Sequence, residues 1–301
     1  MTTSAHSIRY VLVTPARNEE AYLERTITSV VAQTVKPLRW VIVSDGSTDR
    51  TDEIAQRAAA AHSWIEFVRM PERRSRDFAG KVGAFNVGRE HVADLQYDVI
   101  GSLDADVEFA PQYFEFLLDR FAEDPGLGLA GTPFEEAGKI YDYRFSSVDH
   151  VSGACQLFRR ACYEAIGGYQ PLEGGGIDAV AALSARMRGW RTRTFTELRS
   201  IHLRPMGSAN HGSSRVVVFF RLGERAYRLG YHPLWQVSRS IYQMTRPPYV
   251  AGGLALSAGY FMSLIRGMKR PISKDLIDFQ RKDQMRRLGA FARQRVLGRR
   301  V

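Results

Sequence analysis

The sequence predicts an α/β fold: a mostly parallel sheet flanked by helices, followed by a basic helical C-terminal extension. Three observations lead there. Short apolar runs alternate with stretches of helical periodicity, the pattern of βαβ units. The early apolar runs lead into polar segments rich in Asp, Asn and Gly. The charge is also divided. Residues 1–190 hold 20 Lys+Arg against 27 Asp+Glu, a balance of −7, whereas residues 191–301 hold 22 against 5, a balance of +17. Two regions with different partners follow from that asymmetry, and the boundary is expected at 205/206.

The elements can be justified in order. Tyr10-Val11-Leu12-Val13-Thr14 is an apolar strand ended by Pro15, and from Glu19 onward Leu23, Ile27, Val30 and Val31 repeat at helical spacing. Trp40 to Ser44 is a second strand, running into Asp45-Gly46-Ser47-Thr48-Asp49, whose small polar residues suit a tight turn and a helix cap. An alanine-rich helix follows over about Thr51 to Ala61, then a strand Ile65–Arg69 and a polar loop with Arg73, Arg74 and Arg76. Lys81 to Val92 reads as a helix. Tyr97-Asp98-Val99-Ile100-Gly101 reads as a buried strand that delivers Ser102-Leu103-Asp104-Ala105-Asp106. In parallel sheets ligands bind beyond the carboxyl ends of the strands, so the three polar segments converge on one edge. Two carboxylates one residue apart at a strand exit reach a single hard cation, Mg or Mn, of the kind bound together with phosphates; the plainer alternative is a polar turn.

Composition excludes some classes. Cys155 and Cys162, the only cysteines, give neither a disulfide framework nor a zinc cluster, which points to a reducing compartment. Met1 to Ser7 has no basic region followed by an apolar core, so no secretory signal is expected. The basic half lacks a recognised nucleic-acid module, and no nucleic-acid partner is expected.

Taken together, Thr14-Pro15-Ala16-Arg17-Asn18-Glu19-Glu20, Ser44 to Asp49, Gly80-Lys81 to Gly88, Leu103-Asp104-Ala105-Asp106, Gly153 to Arg160 and Ile166-Gly167-Gly168-Tyr169 closely resemble the family 2 glycosyltransferases. Asp178 ahead of Arg186-x-x-Gly189 extends the match, which covers about residues 8–205. The resemblance implies a GT-A type, Rossmann-like domain and an inverting hexosyl transfer from a nucleotide-diphospho-sugar. It implies that Pro15, Ala16, Arg17 and Glu19 line the nucleotide pocket and that Asp45 holds base or ribose. Lys81 would face the phosphates, Asp104 and Ala105 would sit near the ribose, and Asp106 would ligate the metal. Asp45 has an alternative as a helix cap and Lys81 as a solvated surface residue.

An inverting transfer needs a general base opposite the leaving group. The family places an Asp there, usually in a Glu-Asp pair; here Ile177 stands before Asp178, which makes Asp178 the candidate and Glu173 a weaker one. A helix cap is the other use of Asp178. A non-catalytic nucleotide-sugar-binding protein is the alternative function that the missing Glu keeps open. Gly153-Ala154-Cys155 is either the floor near the donor sugar or ordinary close packing, and Cys162 is expected to be a buried small hydrophobe. His202 or His211 is the candidate third metal ligand, a structural imidazole being the alternative for each.

Beyond the resemblance, Gln236-x-x-Arg239-Ser240 lacks the Trp of the processive members' signature, which argues against a cellulose-synthase type of polymerase. Tyr249 to Ile265 is 17 uncharged residues, three of them Gly, with Arg266, Lys269 and Arg270 beyond it. A spanning helix needs about 20 apolar residues, so this one suits the headgroup region of an anionic leaflet, or burial against the catalytic domain or a second subunit. Lys274 to Arg300 is basic and partly amphipathic. The expected protein is cytoplasmic and peripheral on the inner membrane face, with a lipid-linked or polysaccharide acceptor.

Overall fold

A computed structural model of the chain describes residues 8–72, 78–136, 139–140, 147–172, 174–204 and 214–297. The chain forms two compact units, Met1–Met206 and Gly207–Val301.

In the first unit, β1 (Tyr10–Ala16), α1 (Leu23–Val31), β2 (Trp40–Asp45), α2 (Thr51–Ala61), β3 (Ile65–Met70), α3 (Phe78–Glu90) and β4 (Val99–Leu103) alternate in the predicted order. Strands β1, β2, β3 and β4 pair in parallel in the order β4-β1-β2-β3. Every residue of β2 and β4 is buried, as expected for strands covered on both faces. Helix α3 begins at Phe78 rather than Lys81, and α1 begins at Leu23 after a turn rather than at Glu19. The remaining elements of the unit are β5 (Val107–Phe109), α4 (Tyr113–Glu123), β6 (Leu127–Gly131), β7 (Phe134–Glu136), β8 (Lys139–Ile140), β9 (Cys155–Arg159), α5 (Arg160–Ala165), α6 (Ile177–Met187), β10 (Arg191–Thr194) and β11 (Ser200–His202).

The seven-stranded sheet has the order β10-β6-β9-β4-β1-β2-β3. Among the described residues its antiparallel member is β9, which runs against both β4 and β6, and the β10–β6 pairing shifts register between Arg191 and Thr192. A smaller sheet, β5-β11-β7-β8, carries the chain that leaves the Asp104–Asp106 turn. The core lies between the sheet and α1, α2 and α4, around Trp40, Tyr10, Phe114 and Phe121, all 1% exposed or less. Gly88 lets α3 lie close on the sheet: a Cβ there would stand 2.4 Å from Val13 Cγ1.

The second unit is helical: α7 (Arg215–Arg228), α8 (Pro233–Met244), α9 (Val250–Ile265) and α10 (Lys274–Leu297). Helices α7 and α9 touch backbone to backbone, since a Cβ at Gly259 would meet Phe220 O at 2.0 Å and one at Gly223 would meet Leu256 O at 2.2 Å. The inner side of α9 is therefore Gly252, Gly253, Ala255, Leu256, Gly259, Tyr260 and Ser263, all buried. Its outer side is Val250, Leu254, Met262 and Ile265, the last 84% exposed. Gln236 is fully buried in α8 and donates to Leu256 O at 3.2 Å, a structural position. No helix among the described residues is long and apolar enough to cross a membrane.

Candidate active site

Parallel pairing brings the site together. Ala16 aligns with Ser44 and Val13 with Ser102. One step beyond the first of these pairs stand Arg17 and Asp45, and two steps beyond the second stand Pro15 and Asp104. Arg17 Nη1 lies 3.8 Å from Asp45 Oδ2, with the Asp45 side chain buried. Asn18, at φ +54, ties these loops: its Oδ1 accepts from Thr48 N at 2.9 Å, and its own N donates to Ser47 Oγ at 3.1 Å. Glu19 N donates to Thr51 Oγ1 at 2.7 Å, and Glu19 is buried in the loop after β1.

The Asp104–Asp106 turn is clipped from two sides. Asp104 N donates to Ala154 O at 2.9 Å. From α1, Thr26 Oγ1 donates to Ala105 O at 2.9 Å and accepts from Val107 N at 3.1 Å. Strand β11 then runs antiparallel to β5 with His202 opposite Val107, and Leu203 N donates to Asp106 O at 2.8 Å. That pairing sets His202 Nε2 3.6 Å from Asp106 Oδ1. His202 Nδ1 contacts Arg204 O, a carbonyl that can only accept, so the proton belongs on Nδ1 and the Nε2 lone pair faces Asp106, where it could ligate a metal.

Ligand atoms of Asp104, Asp106 and His202 lie within 4.8 Å of one another. Oxygens about 2.1 Å from a shared Mg lie about 3–4 Å apart, so these side chains need only a small contraction to share an ion. Two carboxylates and one imidazole suit Mg or Mn with positions left for phosphate oxygens. His211 lies outside the described residues.

Lys81, at the start of α3, forms an ion pair with Asp104. Burial alone would lower its pKa, but the carboxylates of Asp104, Asp178 and Asp106 together outweigh burial and raise it. Asp104 is also raised, first by burial and then by the neighbouring Asp106 charge, against the opposing pull of Lys81. Its carboxylate is partly buried and paired with the Lys81 ammonium, with Asp106 and His202 as neighbours.

Asp178 sits in the first turn of α6, and Gly176, at φ +92, occupies the cap position. Asp178 stands two positions inside that cap, so it is not the cap residue. Its carboxylate packs on Gly153, where a Cβ would stand 3.2 Å from Asp178 Cβ and 3.3 Å from Oδ2. Its backbone carbonyl accepts from Gln156 Nε2 at 3.4 Å, and Tyr169 Oη donates to Gln156 Oε1 at 2.7 Å. Glu173 lies outside the described residues. Arg204, Gln156 and Thr26 drew no attention in the sequence because each acts through a partner more than 20 residues away. Cys155 and Cys162 are buried.

A model of glycosyl transferase family 2 matches residues 11–164, more than half of the chain. The chain belongs to that family. Its fold is GT-A, with a mostly parallel central sheet flanked by helices. Among curated proteins it is similar to poly-beta-1,6-N-acetyl-D-glucosamine synthase of Staphylococcus aureus, 27% identical over 199 residues. That match takes in 58% of this chain and 45% of the relative, so the chain spans about half the length of that synthase. Glycosyltransferase GlyA of Streptococcus pneumoniae is 24% identical over 195 residues, 64% of this chain and 25% of that protein. In fold it resembles mannosyltransferase PcManGT from Pyrobaculum calidifontis, solved with GDP-Man and Mn2+, at TM-score 0.57 and 17% identity, covering 94% of this chain and 75% of that one. S. aureus TarS 1-349 with UDP-GlcNAc gives TM-score 0.55 at 10% identity, over 91% of this chain and 78% of that one.

Proposed function

We propose that this glycosyltransferase is inverting and metal-dependent, and moves a hexosyl group from a nucleotide-diphospho-sugar to a hydroxyl of a polysaccharide or lipid-linked acceptor. One observation carries the proposal: the ligand atoms of Asp104, Asp106 and His202 lie within 4.8 Å of one another, and the Lys81 ammonium pairs with Asp104 beside them. A donor-phosphate pocket and a general base belong to the same cleft in such a reaction. Pro15, Ala16, Arg17, Glu19 and Asp45 hold the nucleoside, Asp104 and Ala105 the ribose, and Lys81 a phosphate. Asp106 and His202 hold the Mg or Mn, which when bound supplies positive charge to the departing diphosphate.

Asp178 takes the proton of the acceptor hydroxyl as its oxygen bonds to the anomeric carbon. The bond from that carbon to the phosphate oxygen breaks, and the nucleoside diphosphate leaves with its electron pair. Attack from the face opposite the leaving group inverts the configuration. Asp178→Asn is expected to abolish transfer from UDP-GlcNAc or GDP-mannose, whichever stabilises the protein in a thermal-shift screen with Mn. Donor affinity stays within about twofold of wild type, because the base contributes to the transition state rather than to ground-state binding. Loss of donor affinity equal to the loss of rate would remove Asp178 from the base role.

The second unit is part of the same proposal. The outward face of α9, Val250, Leu254, Met262 and Ile265, ends beside Arg266 and Lys269. Apolar side chains next to cations fit the headgroup layer of an anionic leaflet, which would hold the enzyme on the cytoplasmic membrane face beside a lipid-linked acceptor.

A further inference from the structure

Arg204 immediately follows the β11 residues that approach the metal site, and its guanidinium lies between two acidic groups. Nη2 pairs with Glu19 Oε2, in the nucleotide loop. Nε lies 3.2 Å from Asp106 Oδ2 but lacks hydrogen-bond alignment, so among the described residues this buried N–H is without a hydrogen-bond partner. The guanidinium carbon also stands 5.3 Å from the centre of the Tyr22 ring. Asp106 is therefore shared: one oxygen faces His202 Nε2 and the other faces Arg204.

We infer that Arg204 is an internal counter-cation of the donor site, which occupies Glu19 and Asp106 until a diphosphate draws it away, so that nucleotide and divalent ion bind cooperatively. This rests on the proposed role of Asp106 and His202 in holding the ion. A guanidinium that already neutralises Asp106 lowers the affinity of that carboxylate for a second cation, because the two positive charges repel across a few ångströms of partly dehydrated protein. A diphosphate changes the balance. Its oxygens match the planar fork of Arg better than two separated carboxylates do, and the misaligned Nε–H gains an acceptor. Once the fork turns to phosphate, Asp106 is released to the ion, and the added negative charge favours both cations. Arg204 thus acts as a positioning residue, and its effect shows in ion binding before any sugar is transferred.

The test is a titration of the full chain with Mn alone, following free Mn by its paramagnetic resonance signal, then again with UDP and with GDP. Arg204→Gln is expected to bind Mn alone about tenfold tighter than wild type, a coupling of ordinary size between adjacent sites. The factor by which UDP or GDP tightens Mn binding is expected to be smaller in this variant than in wild type. Unchanged or weaker binding of Mn alone in Arg204→Gln overturns the proposal. Should that variant fail to fold, Arg204→Lys carries the test: one ammonium cannot bridge both carboxylates, Mn affinity rises by about threefold, and no rise overturns the proposal equally. Asp106→Asn separates the two levels. If it binds Mn as wild type does, the ion is not held at Asp106 and the metal assignment fails, whatever Arg204 does.

Discussion

Gly153 and Asp178 offer the sharpest test of the base assignment. Gly153→Ala adds one methyl group at a position where the backbone φ is not in the left-handed region, so the change is one of space. The new Cβ meets Asp178 Cβ at 3.2 Å and its Cγ and Oδ2 at 3.3 Å. Comfortable carbon contacts begin at about 3.5–4.0 Å, so one partner gives by a few tenths of an ångström. The backbone of Asp178 lies in the first turn of α6 and its carbonyl is held by Gln156, so the partly buried carboxylate is the group that moves. A misplacement of about 1 Å in a catalytic group costs up to about 100-fold, and this smaller shift should cost about 5- to 50-fold in kcat, or about 1–2.3 kcal/mol. The assay is steady-state release of nucleoside diphosphate at saturating donor and acceptor, with donor affinity measured separately. Donor affinity should stay within about twofold. A Gly153→Ala enzyme with full kcat, or one whose loss lies wholly in donor affinity, refutes the placement of Asp178 as base.

The remaining expectations concern stability, reactivity and surface. Trp40 Nε1 donates to Thr14 Oγ1 at 2.9 Å with both residues fully buried, so Thr14→Val strands the indole N–H at a cost of about 2 kcal/mol, read as a melting temperature lower by about 4–8 °C. Burial pushes the Cys155 and Cys162 thiols up to about 12. At about pH 8 roughly one thiol in ten thousand is ionised, so iodoacetamide labels neither until the protein is unfolded. The folded thiols hold their protons more tightly than unfolded ones, so their share of stability is intact below about pH 9 and is lost as pH rises towards 12. Melting curves across that range should fall accordingly. Ile265→Glu places a carboxylate on the outer end of α9 and should reduce flotation with anionic liposomes at low salt by about fivefold or more, whereas an unchanged bound fraction removes α9 from the membrane contact.

What was legible in the sequence is what local pattern encodes. Buried parallel strands read as nearly unbroken apolar runs, which is why β1, β2 and β4 stood out to within a few residues, whereas the edge strand β3, buried only at Ile65, carries Glu66 and Arg69 among its apolar residues. Their carboxyl ends carry the loops, so the grouping of Pro15, Asp45 and Asp104 needed only parallel order. Pairings between distant segments left no local trace. Nothing around Ser200-Ile201-His202 announces that it pairs with Val107–Phe109, yet that pairing alone brings His202 to Asp106. The same holds for Arg204, which reaches Glu19 across 185 positions, and for Gln156, whose polar side chain in an apolar strand is explained by Tyr169 and the Asp178 carbonyl. The glycines were visible as glycines, but only the packing separates Gly153, which makes room for a carboxylate, from Gly88, which makes room for a sheet.

The antiparallel strand β9 gives the site its fixed dimension. It pairs with β4 so that Leu103 faces Cys155, and the hydrogen bond from Asp104 N to Ala154 O continues the ladder one step into the acidic turn. Gly153 is the next residue along that edge, and Asp178 rests against it. The proposed base and the proposed metal turn are thus linked through two adjacent backbone positions in the turn that leads into β9, not through the loops proposed to hold the nucleotide. Loops Asn18–Glu20 and Ser47–Thr51 are stitched to each other by side-chain hydrogen bonds instead. On the proposed function, nucleoside selection can therefore vary in those loops while the span across which a hydroxyl attacks stays set by β4 and the turn into β9. A variant that alters nucleoside preference is expected there, and one that alters rate alone is expected along Gly153, Gln156 and Asp178.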